Sequence, residues 1–388
     1  MTASSQRNRE VDSSRFVLRA AGPWEHSGEL LDELRASGLA NASVADVIAS
    51  ADRRGRELEP DEPPLAAIEQ PIGAGFGWDA EDSTTTQWYP QGITSSHDAC
   101  VGGRWSDREV LMVSWVRGRN ANVRISVCEL GDSAPRYRHV LLVEPVRRFW
   151  REAIDLKPIR VHAGGIVWRG DHLYVADTLR GLRVFAVDEM LTVATDGPPG
   201  FVGHRNGRWY GAGHRYVMPQ IGTLRMPLLR SIVDRGPRFS FVSLCRRPGE
   251  GDGSVISGEY RRKKTGGRVV DWPVFADGAD LTAGTTLRAS SAMMAGRANL
   301  QGALAVGERL LLASSGGGRG GVGRLAVYEG DGSAAEHPWA NGPEDLAYAP
   351  ARDLVFSLTE HPAGPDSKRA GRVVFGVRCG PLVGDLDG

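Results

Sequence analysis

This chain of 388 residues is short of lysine, of paired cysteines and of long apolar runs. Only Lys157, Lys263, Lys264 and Lys368 stand among its 47 basic residues; the rest are arginine. Acidic residues also number 47, so the formal net charge is zero. A neutral chain has no long-range field to draw it onto nucleic acid or a charged membrane surface, and neither partner is expected. Cys100, Cys128, Cys245 and Cys379 lie far apart and form no CxxC pair. That spacing argues against a disulfide framework and predicts reduced thiols, mostly buried in strands. No stretch is apolar for long enough to cross a bilayer, and the opening residues MTASSQRNREVDSSRF hold no apolar signal core. The expectation is a soluble, cytoplasmic protein. Also missing are a GxSxG elbow and a Walker loop.

Turn formers are plentiful, with 50 glycines and 22 prolines. They punctuate a recurring unit, seen most clearly in GGIVWRGDHLYVADTLRGLRVFAV (Gly164–Val187). Short strands rich in Val, Ile, Leu, Tyr and Phe alternate with breaks carrying Gly or Asp. The unit returns at Asn299–Gly332 and at Gly342–Cys379, and in longer form at Pro90–Asp132. Repeats of short meandering strands predict an all-β fold, a β-propeller whose four-stranded blades bury their faces against each other. Five blades are favoured over six. They start near Gln91, at His162, near Tyr216, at Asn299 and at Gly342. A sixth has room only in Trp78–Tyr89 or in the insertions Arg147–Arg160, Glu189–Gly213, Met226–Arg238 and Phe275–Ala298.

Before the blades, residues 1–15 read as a disordered polar tail. Residues 16–64 read as a helical appendage and linker, with helical spacing over Glu25–Ser37 and Ser43–Arg56. Ser43 is placed to cap the second helix. Residues 65–388 form one propeller domain, in which Pro64–Phe76 supplies a strand that completes the last blade.

GDHLYVADTLRGLRVFAV resembles blades of the NHL, SMP-30 and strictosidine-synthase-like propellers. The whole chain is similar to propeller proteins of actinomycetes. The resemblance implies the fold. It leaves open lactonases and esterases that need a metal, cyclases, and pure binding modules.

Innermost strands of a propeller begin around one mouth of its axis. Here those beginnings carry Gln91, His162, Gln220, Gln301 and the pair Glu344-Asp345, polar groups set in otherwise apolar strands. They predict a small-molecule site at that mouth. His162 and His214 stand at or just before successive inner strands and read as proton-transfer groups, together with Glu344 or Asp345. Adjacent residues of a regular strand point to opposite faces, so only one of those two carboxylates is expected in the channel. One carboxylate is too few for calcium and no Cys/His cluster has zinc spacing, so neither a metal nor another cofactor is expected. Trp88, Tyr89, Tyr216, Met293 and Trp339 lie close to blade starts and are candidates for an aromatic-binding wall. His97-Asp98, in Ser-Ser-His-Asp, reads as a polar turn. Gly318–Gly323 matches GxGxxG but falls between strands, and Arg261–Lys264 is one basic run; neither suggests a nucleotide or nucleic-acid site.

The favoured expectation is an enzyme that works without a cofactor, by acid/base chemistry, on a bulky, partly aromatic molecule, through cyclisation, rearrangement or oxygenation. A metal-dependent lactonase or esterase and a non-catalytic binding propeller are the alternatives. Oligomeric state is left open.

Overall fold

In the computed structural model the described residues are 9–14, 16–21, 27–118, 122–131, 133–147, 153–227, 236–246, 253–262, 266–274, 284–317, 321–329, 332–364 and 371–384. The architecture is all-β, with a few short helices. Five antiparallel meanders account for most of it. The first runs Trp88–Ser95, Glu109–Arg117, Val123–Leu130 and Arg136–Arg147. The second runs Ile166–Arg169, His172–Asp177, Gly181–Ala186 and Tyr216–Arg225. The third runs Phe241–Cys245, Ser254–Gly258, Arg268–Trp272 and Ser291–Met294. The fourth runs Leu300–Val306, Arg309–Ser314, Val322–Tyr328 and Ala334–Asn341. The fifth runs Pro343–Ala349, Leu354–Thr359 and Val373–Arg378, and takes its fourth strand, Ile72–Gly77, from the early part of the chain.

The first strand of each meander packs against the first strand of the next. This holds from the first meander round to the fifth, and the fifth returns to the first. These strands are covered on both faces, so their burial is nearly continuous rather than alternating. Apolar side chains fill the spaces between neighbouring sheets, with Trp78, Trp115, Trp168, Trp272 and Trp339 wholly buried.

One blade start is corrected by the structure. Tyr216–Arg225 was expected to open the third unit; it closes the second instead. Tyr216–Pro219 run parallel to Val140–Val143 of the first meander, and Gln220–Arg225 then pair with Gly181–Phe185 of the second. The partner changes at Pro219, a residue with no N–H to give to a ladder. The first and second meanders are thereby joined into one continuous sheet. Being buried along nearly its whole length, this strand looks in sequence like an innermost one.

The segment before the meanders is less separate than expected. Arg9–Glu10, placed in the expected tail, pair with Met293–Met294. Val17–Ala21, Ala40–Ala42 and Arg53–Arg54 also join sheets. The helices are Ser27–Ala36 and Val44–Ala49, the second shorter than its sequence pattern suggests. Ser43 does cap it: its hydroxyl accepts from the Asp46 N–H, and the Asp46 carboxylate accepts from the Ser43 N–H. Trp78–Tyr89 holds a short helix, Ala80–Thr84, rather than a further meander. No disulfide joins the four cysteines, and Cys128, Cys245 and Cys379 are buried. Among the described residues no helix is long and apolar enough to cross a membrane.

Candidate functional site

Three of the five innermost strands carry an irregularity at the same place. In the first, Pro90 pairs with Trp115 and Ile93 with Val113, leaving an extra residue at Gln91-Gly92. In the fourth, Leu300 pairs with Ser314 and Gly302 with Ala313, leaving Gln301 extra. In the fifth, Pro343 pairs with Thr359 and Leu346 with Ser357, an extra residue at Glu344-Asp345. A bulge re-aims the side chain it carries. Gln91, Gln301 and Glu344 are all re-aimed into one depression of about 750 Å³, which His162 also lines.

The glycines beside these polar residues allow the strands to close up. A Cβ on Gly165 would lie 2.1 Å from the Val242 nitrogen, and one on Gly92 would lie 2.8 Å from the Gly165 backbone. The fifth strand has Asp345 where the first and fourth have Gly92 and Gly302. Its side chain is wholly buried and spans the cycle. Oδ2 accepts from the Ile93 N–H at 3.2 Å and the Ile166 N–H at 3.3 Å, and Oδ1 meets Ser243 Oγ at 3.2 Å. One carboxyl thus ties the fifth strand to the first, second and third. Burial pushes its pKa well above the ordinary carboxylate value, although the N–H groups pull it down. Glu344 is the member of the pair that lines the depression; Asp345 does not line it.

Glu344 is 3 % exposed. Its Oε1 accepts from Gln301 Nε2 at 2.9 Å. Burial first, then the charges of Glu360 and Asp345, push its pKa well above the usual range. Glu360 too lines the depression, 3.4 Å from Gln91 Nε2. His162 opens to solvent at the mouth but is crowded by protein. Desolvation lowers its pKa, and the Glu360 charge opposes that effect. Glu360 is therefore within electrostatic reach of both the acid and the imidazole.

Arg160, Arg180, Arg183 and Arg238 also line the depression, none of them marked by the sequence pattern. Arg183 is held by Asp177 at 3.1 Å and by Gln220 Oε1 at 2.7 Å. Gln220 itself is buried, so it orients a lining arginine instead of facing the mouth. Tyr260 completes the wall; burial raises its pKa.

The remaining expected residues lie elsewhere. His214 and Trp88 line a different cavity, so His162 and His214 do not face one common ligand. Tyr89 lies under Arg372, whose guanidinium is 5.0 Å from its ring. Tyr216 is buried and its hydroxyl is 2.9 Å from Ser50 Oγ. Trp339 is buried against Phe375, and Met293 sits in the outer strand of the third meander. The aromatic wall expected at the axial mouth is not assembled there. His97 and Asp98 belong to a short capped helix; Asp98 accepts from the Ser95 N–H, and His97 Nε2 lies 2.9 Å from Glu109. Lys263, Lys264 and residues 318–320 of the glycine run lie outside the described residues. Among the described residues no three His, Cys, Asp or Glu side chains gather in a metal-holding arrangement.

No family model matches the chain, and no curated protein matches it. Among solved structures it is similar to the tail fiber of Staphylococcus aureus phage P68, at 10 % identity and a TM-score of 0.33. That match covers 82 % of this chain, which spans about half (54 %) of the fiber chain. It is also similar to the computationally designed Ika8 protein, at 10 % identity and a TM-score of 0.31, over 84 % of this chain and 100 % of the designed one.

Proposed function

We propose that the chain is a five-bladed β-propeller and an enzyme that performs proton transfer on a small, anion-bearing molecule at the mouth of its axis. The blade count is supported by the five meanders and the closed cycle of their first strands.

The observation that carries the chemistry is the pairing of Glu344 with His162 in one depression. Burial and neighbouring carboxylates favour the protonated form of Glu344, and desolvation favours neutral His162. Titratable groups pushed in opposite senses within one site supply a proton donor and a proton acceptor at the same pH. His162 takes a proton from the bound molecule, and Glu344 gives one to the oxygen on which charge develops. Gln91 and Gln301 hold the two carboxyls in place. The arginine wall orients the anionic end of the substrate, with Arg183 fixed by Asp177 and Gln220. The reaction class is a proton-transfer rearrangement or cyclisation of a polar acid. With Trp88, Trp339 and Met293 placed elsewhere, an aromatic substrate has no support at this mouth.

The test is a turnover screen on small carboxylic and hydroxy acids, followed by variants. Glu344→Gln and His162→Ala should each lower kcat by about 10²–10⁴-fold, the usual worth of a general acid or base. The unfolding midpoint should stay near that of the parent. Full turnover in both variants would sink the assignment. Saturable binding of such acids with no turnover of any of them would make the mouth a binding site only.

A further inference from the structure

We propose that a second cavity, away from the axial depression, is a binding site for a phosphate group, free or carried on a small metabolite. This cavity measures about 390 Å³. It lies between the first meander and the loops around the hairpin Val202–Arg205/Arg208–Gly211. Arg53, Arg117, Arg124, Arg138 and Arg215 all line it.

The charges of these five guanidiniums are not all answered. Arg53 pairs with Asp79, Glu81 and Asp82, Arg124 with Asp82, and Arg138 with Asp52. Arg117 instead donates to the amide oxygen of Gln87, and Arg215 lies over the Tyr216 ring. Neither of these two has a carboxylate within ion-pair distance among the described residues. Asp52 is the one acidic group lining the cavity, and Arg138 holds it at 3.1 Å.

Arg124 gives the independent observation. It is 5 % exposed, sandwiched by Trp88 (4.4 Å) and Trp115 (5.1 Å), and donates to Asp82 Oδ1 at 2.5 Å. Its Nε is buried and has no hydrogen-bond partner among the described residues. A buried donor left unmade is costly, and the charge of this guanidinium, which lines the cavity, adds to those of Arg117 and Arg215. His214 records the resulting field. Burial and then the Arg124 charge lower its pKa to about 4, while the Gly211 carbonyl, 2.9 Å from Nδ1, works the other way.

Two guanidiniums without a carboxylate partner, beside three more arginines on the same wall, suit a dianion with several acceptor oxygens better than a lone carboxylate. The volume holds a phosphate with a body of a few carbons.

Calorimetric titration with inorganic phosphate and with glycerol phosphate, at low ionic strength, tests this. One saturable site is expected for each, tighter for the ester if the natural ligand is a metabolite. Arg117→Ala and Arg215→Ala should each weaken affinity about tenfold, one charge-assisted hydrogen bond's worth, without moving the unfolding midpoint. Arg183→Ala, in the axial depression, should leave affinity unchanged. The His214 ring titration, followed by NMR, should shift to higher pH when phosphate is added, because an anion stabilises the imidazolium. The proposal fails if neither anion binds saturably, or if Arg183→Ala abolishes binding while the Arg117 and Arg215 variants bind as the parent does.

Discussion

Asp345 and Asp82 are both out of solvent, at 0 % and 1 % exposure, yet their charges are settled in opposite ways. Asp345 meets only backbone N–H groups and a hydroxyl, so desolvation prevails and its pKa rises. Asp82 suffers the same desolvation. It is answered by His139 at 2.9 Å, Arg124 at 2.5 Å, Arg53 at 3.3 Å and the Tyr137 hydroxyl at 2.8 Å, and its pKa falls below the ordinary carboxylate range. Burial sets the cost of a charge; the partners decide whether the charge is kept. The axis is therefore held by an acid whose charge burial opposes, acting as a polar staple. The wall beside the arginine cavity is held by an ion cluster, in which burial and Arg124 lower His139 to about 3.

The largest effect should come from breaking the ion cluster. Asp82→Asn leaves Arg124 and Arg53 short of a buried counter-charge and should cost about 3–5 kcal/mol by chemical denaturation. Its pH dependence has a definite sign. A depressed folded pKa gives stability that is present above the unfolded value and lost as pH falls through the folded one. The parent should lose this contribution from about pH 4 downward, and the variant should lack that loss.

Asp345→Ala comes next. It strands the Ile93 and Ile166 N–H groups, at about 1–3 kcal/mol for each buried group left unmade. Asp345→Asn should cost under about 1 kcal/mol, because an amide oxygen can still accept from the two N–H groups while its NH₂ donates to the Ser243 hydroxyl, which turns from donor to acceptor. Here the sign reverses. A raised folded pKa means the parent is penalised as pH climbs above the unfolded value near 4. The asparagine variant should thus gain on it by about 1.4 kcal/mol per pH unit until the folded pKa is passed. A gap moving the other way in urea melts between pH 4 and 7 would show Asp345 to be ionised and erase the contrast.

Ser243→Ala is the smallest, about 0.5–1.5 kcal/mol, since one hydrogen bond is lost and the carboxyl keeps its backbone partners. A cost matching that of Asp82→Asn would instead mark the hydroxyl as partner to a charge.

Much of the axis was legible in the chain because its rules are local. Gln91-Gly92, Gln301-Gly302 and Glu344-Asp345 recur at one point of each unit, and the bulges bring them together. Asp82 gave no such signal. It sits in a five-residue helix, and its partners Arg53, Arg124 and His139 come from separate strands, so only long-range packing defines the cluster. Pro219-Gln220 imitated Pro90-Gln91. A strand that changes partner midway has the same buried, proline-marked pattern as one that opens a sheet. Arg160, Arg180 and Arg238 of the axial mouth were hidden for another reason: they lie outside the strands, where no periodicity betrays which side chains converge.

The pairing of Ile72–Gly77 with Val373–Arg378 also fixes an order of events. A chain made from its amino end must hold that early strand unpaired until nearly all the rest has emerged, because Gly77 waits for Val373. Closure is the least local contact in the molecule and should be the slowest to form. Until then both ladder edges stay open, and an open edge accepts any strand, including one from a neighbouring copy. The seam that makes the native ring stable is thus also where synthesis is most exposed to domain exchange and aggregation.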